Sequence, residues 1–463
     1  MIPKELDHYL IAEAWTSTEA YPNLERLCDL GSRFAGSPSG RAARDFLLAK
    51  FEEYGLVEPH VEPFEFLVWT RGDCALIARG GGEPRALRSA ISLVYSPNAD
   101  RLRGELVDCG IGSEQDFARA FERLGPGADP GAPLRGKVAM VTTANPESGR
   151  PIHRRQKYGR AVDAGAIGFV YVNHKPGMLA ETGSLRPGRL AEIPAIGVSY
   201  EDGWELARRC RRGTVEVELT VQNRSEPGQG YHVVGEVPGR SDETILVGAH
   251  YDGHDISQGA RDDATGTVAV LELARLFGPL RGRLRRAIRL VGFDAEELGV
   301  LGSGEYVKAH RGDLGKVSLM VNLDSAAGPV ESHGFLTGGF RDTEAVLRRY
   351  AEGFGYPLAL RDRVQTASDN FPFFMQGIPA ISMAAQPENP ALGRGFGHTA
   401  ADTLDKVAET EVKAAVMTIA RMLARLADHD GSLGARKTPD EVKQVLVGQG
   451  LEGALRAEGK WPF

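Results

Sequence analysis

Apolar and polar positions follow two different periods along the chain, and the change of period divides it. Residues 5 to about 54 carry the helical period. Leu24, Leu27, Cys28 and Leu30 share one helix face, as do Ala43, Phe46, Leu47 and Phe51, with Asp45 and Glu52 on the other side. Between them Gly31-Ser-Arg-Phe-Ala-Gly-Ser-Pro-Ser-Gly40 is rich in turn formers and predicts a loop. A strand is expected over 61–69. From about 80 to 225 short β-rich stretches take over, with strands predicted at 137–142, 167–172, 193–198 and 215–221 and a helix at 158–166.

From about 230 strand and helix alternate. A β-branched run at 244–249 precedes an apolar helix at 264–277, and further strands are expected at 287–293 and 319–323. Such alternation predicts an α/β fold, a mixed sheet with helices on both faces (an α/β/α sandwich). In sheets of this kind ligands sit beyond the carboxyl ends of the strands. A last core helix is expected over 409–427, then a polar linker after Gly431 and a short amphipathic segment at 440–457. The expected organisation is a principal domain in two parts, 1–80 and 226–432, a β-rich insert at 81–225, and a helical appendage at 433–463.

Charge and cysteine content narrow the partners. The chain carries 55 Lys and Arg against 62 Asp and Glu, a net charge of −7. Its densest basic stretch, Arg281-Gly-Arg-Leu-Arg-Arg286, reads as a solvated turn, so no nucleic-acid partner is expected. No uncharged apolar run reaches the roughly 18 residues of a membrane span. Cys28, Cys74, Cys109 and Cys210 form no C-x-x-C pair and are expected as free thiols in a reducing compartment. The opening Met-Ile-Pro-Lys-Glu-Leu-Asp-His lacks a basic start followed by an apolar stretch, so no signal peptide is expected and a cytoplasmic location is, or a secreted one if a leader has been removed. Oligomeric state, a homodimer included, stays open.

Five acidic or histidine clusters follow predicted strands or sit in glycine-rich loops. In Val247-Gly-Ala-His-Tyr-Asp252, His250 can bind a metal through one ring nitrogen while Asp252 accepts the proton of the other. Asp262 lies in Gly259-Ala-Arg-Asp-Asp-Ala-Thr-Gly266, at a helix start where an aspartate alone would read as an N-cap. In Gly292-Phe-Asp-Ala-Glu-Glu-Leu-Gly299, Glu296 and Glu297 cannot face the same way, which suits one ligand and one general base. Asp324 ends the buried strand Leu319-Met-Val-Asn-Leu-Asp324, and His398 sits in Gly395-Phe-Gly-His-Thr. Each cluster alone has an ordinary structural reading. Together, two histidines and three carboxylates suit a pair of zinc ions with coordination left open for water.

The order and spacing of these motifs resemble the M28 family of zinc peptidases. The resemblance implies that His250, Asp262 and Asp324 hold one zinc, and that Asp262, Glu297 and His398 hold the other, with Asp262 bridging. It further implies Glu296 as general base, Asp252 as support for His250, and a cis Asp262–Asp263 peptide bond. Gly136-Lys-Val-Ala-Met-Val, Ala164-Gly-Ala-Ile-Gly-Phe-Val-Tyr and Ile193-Pro-Ala-Ile-Gly-Val-Ser-Tyr resemble a protease-associated (PA) domain, inserted in several family members. The resemblance covers roughly residues 15–430 and is nearest to the aminopeptidase and plasma glutamate carboxypeptidase branch. It implies a two-zinc exopeptidase removing N-terminal residues from short peptides or dipeptides. Gly377-Ile-Pro-Ala-Ile-Ser-Met-Ala384 lacks the arginines that hold an acidic side chain in glutamate carboxypeptidase II. Three alternatives are a carboxypeptidase of the same family, a single-zinc glutaminyl cyclase and a catalytically inactive relative serving as a binding protein.

Overall fold

The computed structural model describes residues 2–125, 127, 129–147, 149–328, 330–387 and 395–463. They form two compact units. The first comprises Met1–Phe66, Gly228–Gly397 and Asp402–Gln449, and the second Leu67–Pro227, His398–Ala401 and Gly450–Phe463.

The sheet of the first unit has eight strands in the order Val57–Thr70, Arg224–Val237, Ala287–Phe293, Thr244–His250, Val317–Asn322, Ala380–Pro387, Val330–Leu336, Ala359–Arg361. Its middle four, from Ala287–Phe293 to Ala380–Pro387, run parallel, and antiparallel strands join them on either side. Every residue of Thr244–His250 is buried, as parallel strands covered on both faces require. Ile245, Val247 and Ala249 share one core with the helix Thr265–Phe277 and the helix Glu409–Ala427. Gly248 faces the other layer, where a Cβ would stand 2.4 Å from the Phe293 ring. There Phe293 meets Tyr306 edge to face, with centroids 5.7 Å apart. Three helices, Lys4–Trp15, Ala20–Asp29 and Pro38–Glu53, precede the sheet. The last starts at a capped proline, with Ser37 Oγ accepting the Gly40 N–H at 3.0 Å.

The second unit is built on its own eight-stranded sheet, with Lys137–Thr142, Gly168–Val172 and Ala195–Val198 in parallel. The helices Glu114–Leu124, Arg154–Asp163 and Tyr200–Cys210 accompany it. The helix Glu452–Glu458 docks on Arg154–Asp163. Gln156 Nε2 donates to Glu458 Oε1 at 2.9 Å, and Gly159 makes room for Ala457, whose carbonyl oxygen lies 2.4 Å from where a Cβ would be.

Most predicted elements fall within a few residues of those observed, and three differences have physical causes. The helix expected at 158–166 begins at Arg154, because Arg154, Arg155, Gln156 and Lys157 are buried although polar; Lys157 Nζ, for instance, donates to Thr142 O at 2.8 Å and Ala144 O at 2.7 Å. The segment expected at 440–457 is two helices, Pro439–Gly448 and Glu452–Glu458, separated near Gly450 at φ +69° and belonging to different units. In the basic stretch expected as a solvated turn, Arg286 is instead buried. It donates to the carbonyls of His429 and Gly431, both at 2.6 Å. All four cysteines are unpaired, and no described helix is long and apolar enough to cross a membrane.

Candidate metal centre

Three adjacent parallel strands deliver side chains to one edge of the first unit's sheet. Thr244–His250 ends on His250, which pairs with Phe293, the last residue of Ala287–Phe293. The chain beyond Phe293 carries Glu296 and Glu297. On the other side Val317–Asn322 ends two residues before Asp324. Asp262 comes from the irregular turn Ala260–Ala264, ahead of the helix Thr265–Phe277, and the Asp262–Asp263 bond is cis. The ligand atoms of His250, Asp262 and Asp324 all lie within 4.8 Å of one another, with His250 Nε2 3.4 Å from Asp262 Oδ1.

A second set of buried groups fixes these positions. The Asp402 carboxylate accepts the N–H groups of Arg261 at 2.9 Å and Asp262 at 3.1 Å. The Asp263 carboxylate accepts those of Gly266 at 2.8 Å and Ser325 at 2.9 Å, tying the helix start to the loop that carries Asp324. Asp324 Oδ2 takes a hydrogen bond from Ser368 Oγ at 2.6 Å. Asp252 has two duties. Its backbone carbonyl lies 3.0 Å from His250 Nδ1, with Oδ1 at 3.5 Å, and its carboxylate accepts the N–H groups of Glu296 at 3.1 Å and Glu297 at 3.2 Å. With Nδ1 directed at the carbonyl, Nε2 is the ring atom turned toward Asp262. Arg33 is fully buried and closes the base of the loop after His250. It donates to the carbonyls of Tyr251 at 2.9 Å, Gly259 at 2.9 Å and Gln258.

Electrostatics mark the site as a surplus of buried negative charge. Burial, reinforced by neighbouring carboxylates such as Asp369 and Asp324, pushes Glu296 up to about 8 against the pull of His250. Burial likewise raises Asp294 to about 7 and Asp369 to about 7, and drives Asp263 and Glu297 well above the usual carboxylate range. Burial opposes charge on His250, yet Asp252, Asp263 and Glu296 hold its imidazole well above its ordinary value. Carboxylates packed this way stay ionised together only when positive charge offsets them. His250 Nε2 is buried with no hydrogen-bond partner among the described residues. Histidine and carboxylate donors around such an atom fit a divalent ion of the zinc type.

The remaining sequence candidate, His398, belongs to the second unit. It is buried at φ +64°, in a four-residue segment whose flanking residues, Gly397 and Asp402, belong to the first. Its Nδ1 lies 3.2 Å from the Thr182 carbonyl and 3.3 Å from Arg154 Nη1, and its own carbonyl accepts the Thr182 N–H at 2.9 Å. Sequence reasoning passed over Arg33, Asp402 and Ser368, which meet partners distant in the chain, and gave Asp263 no part beyond the cis bond. It also passed over His254, whose Nε2 lies 2.9 Å from Glu297 Oε2; the His-x-x-x-His spacing with His250 was the available signal.

Residues 232–423 match peptidase family M28, and residues 102–206 match the PA domain. Leucine aminopeptidase 2 of Trichophyton equinum is 29% identical over 264 residues, covering 57% of this chain and 48% of the relative. The chain thus spans about half the length of that relative. Carboxypeptidase Q of Bos taurus is 25% identical over 349 residues, 70% of each chain. Among solved structures, the peptidase M28 precursor of Shewanella amazonensis superposes with a TM-score of 0.77 at 26% identity, covering 94% of this chain and 99% of the other. On motif order, fold and these similarities together, residues 232–423 are similar to the peptidase domain of family M28, and residues 102–206, which precede them, to a PA domain.

Proposed function

We propose that the protein is a two-zinc exopeptidase that hydrolyses the N-terminal peptide bond of short peptides or dipeptides. The observation that carries the reading is the convergence of His250, Asp262 and Asp324, beside Glu296 and Glu297, on the carboxyl ends of three neighbouring strands. His250, Asp262 and Asp324 would hold one ion. Asp262, Glu297 and His398 would hold the other, His398 being assigned from motif order. Bound zinc supplies Lewis acidity to the scissile carbonyl and to the attacking water.

The chain's own groups do the rest. Glu296 takes a proton from the attacking water and returns it to the leaving amine. Asp252 fixes where Glu296 stands through its backbone N–H, while its carbonyl orients the His250 ring. Asp402 accepts the Asp262 N–H, and Asp263 ties the helix start that follows to the loop of Asp324. The leucine aminopeptidase relatives support an N-terminal specificity. The carboxypeptidase Q relative favours a second reading, cleavage that requires a free carboxyl end.

Product analysis of a mixed dipeptide and tripeptide library, with and without N-acetylation, separates the two. Free-amine peptides should be cleaved and acetylated ones spared. Chelation should abolish turnover, and zinc should restore it at close to two ions per chain. Full activity in a metal-free preparation, or faster cleavage of acetylated peptides, would sink the proposal.

A further inference from the structure

We infer that His254 is a third imidazole of the metal centre, a ligand to the ion that Glu297 holds; this rests on the two-zinc reading above. The His254 side chain is 1% exposed, and its Nε2 lies 2.9 Å from Glu297 Oε2. Two donors each roughly 2.1 Å from one zinc stand about 3.0–3.4 Å apart as the angle between them opens from a right angle to the tetrahedral one. The pair is close enough to serve as two ligands of a common ion.

The loop that carries it is anchored at both ends. Arg33 Nε anchors the Tyr251 carbonyl at 2.9 Å, and the His254 carbonyl accepts the Ser257 N–H at 3.3 Å. Between the two histidines Gly253 lies against Ser32, whose carbonyl oxygen would be 3.0 Å from a Cβ there, so a side chain at this position would force a shift of a few tenths of an ångström. Phe34 flanks the ring, with centroids 6.5 Å apart. A buried imidazole fixed to this degree against a carboxylate of the site has a defined chemical use. An added nitrogen donor shifts the ion at Glu297 toward zinc, cobalt or copper and away from manganese or magnesium, which prefer oxygen.

Zinc-edge X-ray absorption on the zinc-loaded chain, with zinc titration of the wild type, His254→Ala and His254→Gln, tests this. The wild type should show three imidazoles shared between two zincs, and both variants two. Both variants should hold the more weakly bound ion at least about tenfold less tightly, while the unfolding temperature of the metal-free protein changes little. An unchanged imidazole count with unchanged zinc affinity would overturn the assignment. So would a wild type with only two imidazoles whose affinity is lost in His254→Ala and restored in His254→Gln, because His254 would then act through Glu297 rather than on the metal. A wild type that takes up no zinc would overturn the two-zinc reading along with the inference. Two zincs bound without His254 would overturn the inference alone.

Discussion

The Asp252 carboxylate accepts the backbone N–H of Glu296 at 3.1 Å, and its second oxygen accepts that of Glu297 at 3.2 Å. One side chain thus sets the heights of the two adjacent acids beyond the neighbouring strand. Asp252→Asn keeps one acceptor oxygen and turns an NH2 group toward the other N–H. Groups that orient ligands typically matter about 10–100-fold for metal affinity or activity. We expect kcat to fall within that range, with zinc content largely retained. Loss of bound zinc in this variant would move Asp252 from orienting the acids to building the metal site itself.

Glu296 and Glu297 should separate cleanly. On the proposed roles Glu296→Gln removes the base, and turnover should drop about 10²–10⁴-fold while metal content holds. Glu297→Gln should lower metal occupancy first, and activity as a consequence. Metal analysis paired with steady-state kinetics reads both, and the reverse pattern would exchange the two roles.

Arg33 should not tolerate lysine. Its planar fork spans the Tyr251, Gln258 and Gly259 carbonyls from a fully buried position, and an ammonium cannot reproduce that geometry. Each buried acceptor left without a donor costs about 1–3 kcal/mol. We expect Arg33→Lys to lower the unfolding free energy by about 2–4 kcal/mol in denaturant titrations and to weaken zinc binding. A variant with wild-type stability would show that the loop is held by other means.

Asp7 gives a pH signature far from the metal centre. Burial would raise its pKa, but Arg421 and Arg425 donate to its carboxylate at 2.8–3.0 Å and bring it down to about 2. The folded value lies below the unfolded one of about 3.9, so the stabilisation is fully present above about pH 4 and is lost as pH falls toward 2. Solvent screens this partly exposed pair, and its worth at neutral pH is about 1 kcal/mol. Asp7→Asn should lose that amount at pH 7, with the gap to wild type narrowing between about pH 4 and pH 2. A gap independent of pH would mean that packing, not charge, joins the first helix to Glu409–Ala427.

The parts of the site that could be read from sequence are those delivered by strand ends. His250, Glu296, Glu297 and Asp324 each follow a mostly apolar run of the length and β-branched content that a covered parallel strand carries, so their position beyond the sheet was legible. The supporting groups had no such signature. Arg33 meets Gly259, and Asp402 meets Asp262, across long separations in the chain, and nothing local distinguishes either from an ordinary surface charge. Buried polar residues misled in the same way elsewhere. Arg154, Lys157 and Arg286 place donors on backbone carbonyls and Gln156 on the Glu458 carboxylate, so a reading that takes charge as exposure shortens a helix and puts a buried arginine in solvent.

The strip on Arg154–Asp163 that receives Glu452–Glu458 also has a meaning in time. A ribosome makes residues 67–227 long before residues 450–463 exist. Until then the notch at Gly159 stands empty, Gln156 lacks its carboxylate partner, and Arg186 lacks the Ala457 carbonyl it meets at 2.8 Å. Residues 228–449 are made between those two events. The second unit therefore reaches its native surface only after the first has been completely synthesised, and its unfinished face is what the growing chain presents to the cell in the interval.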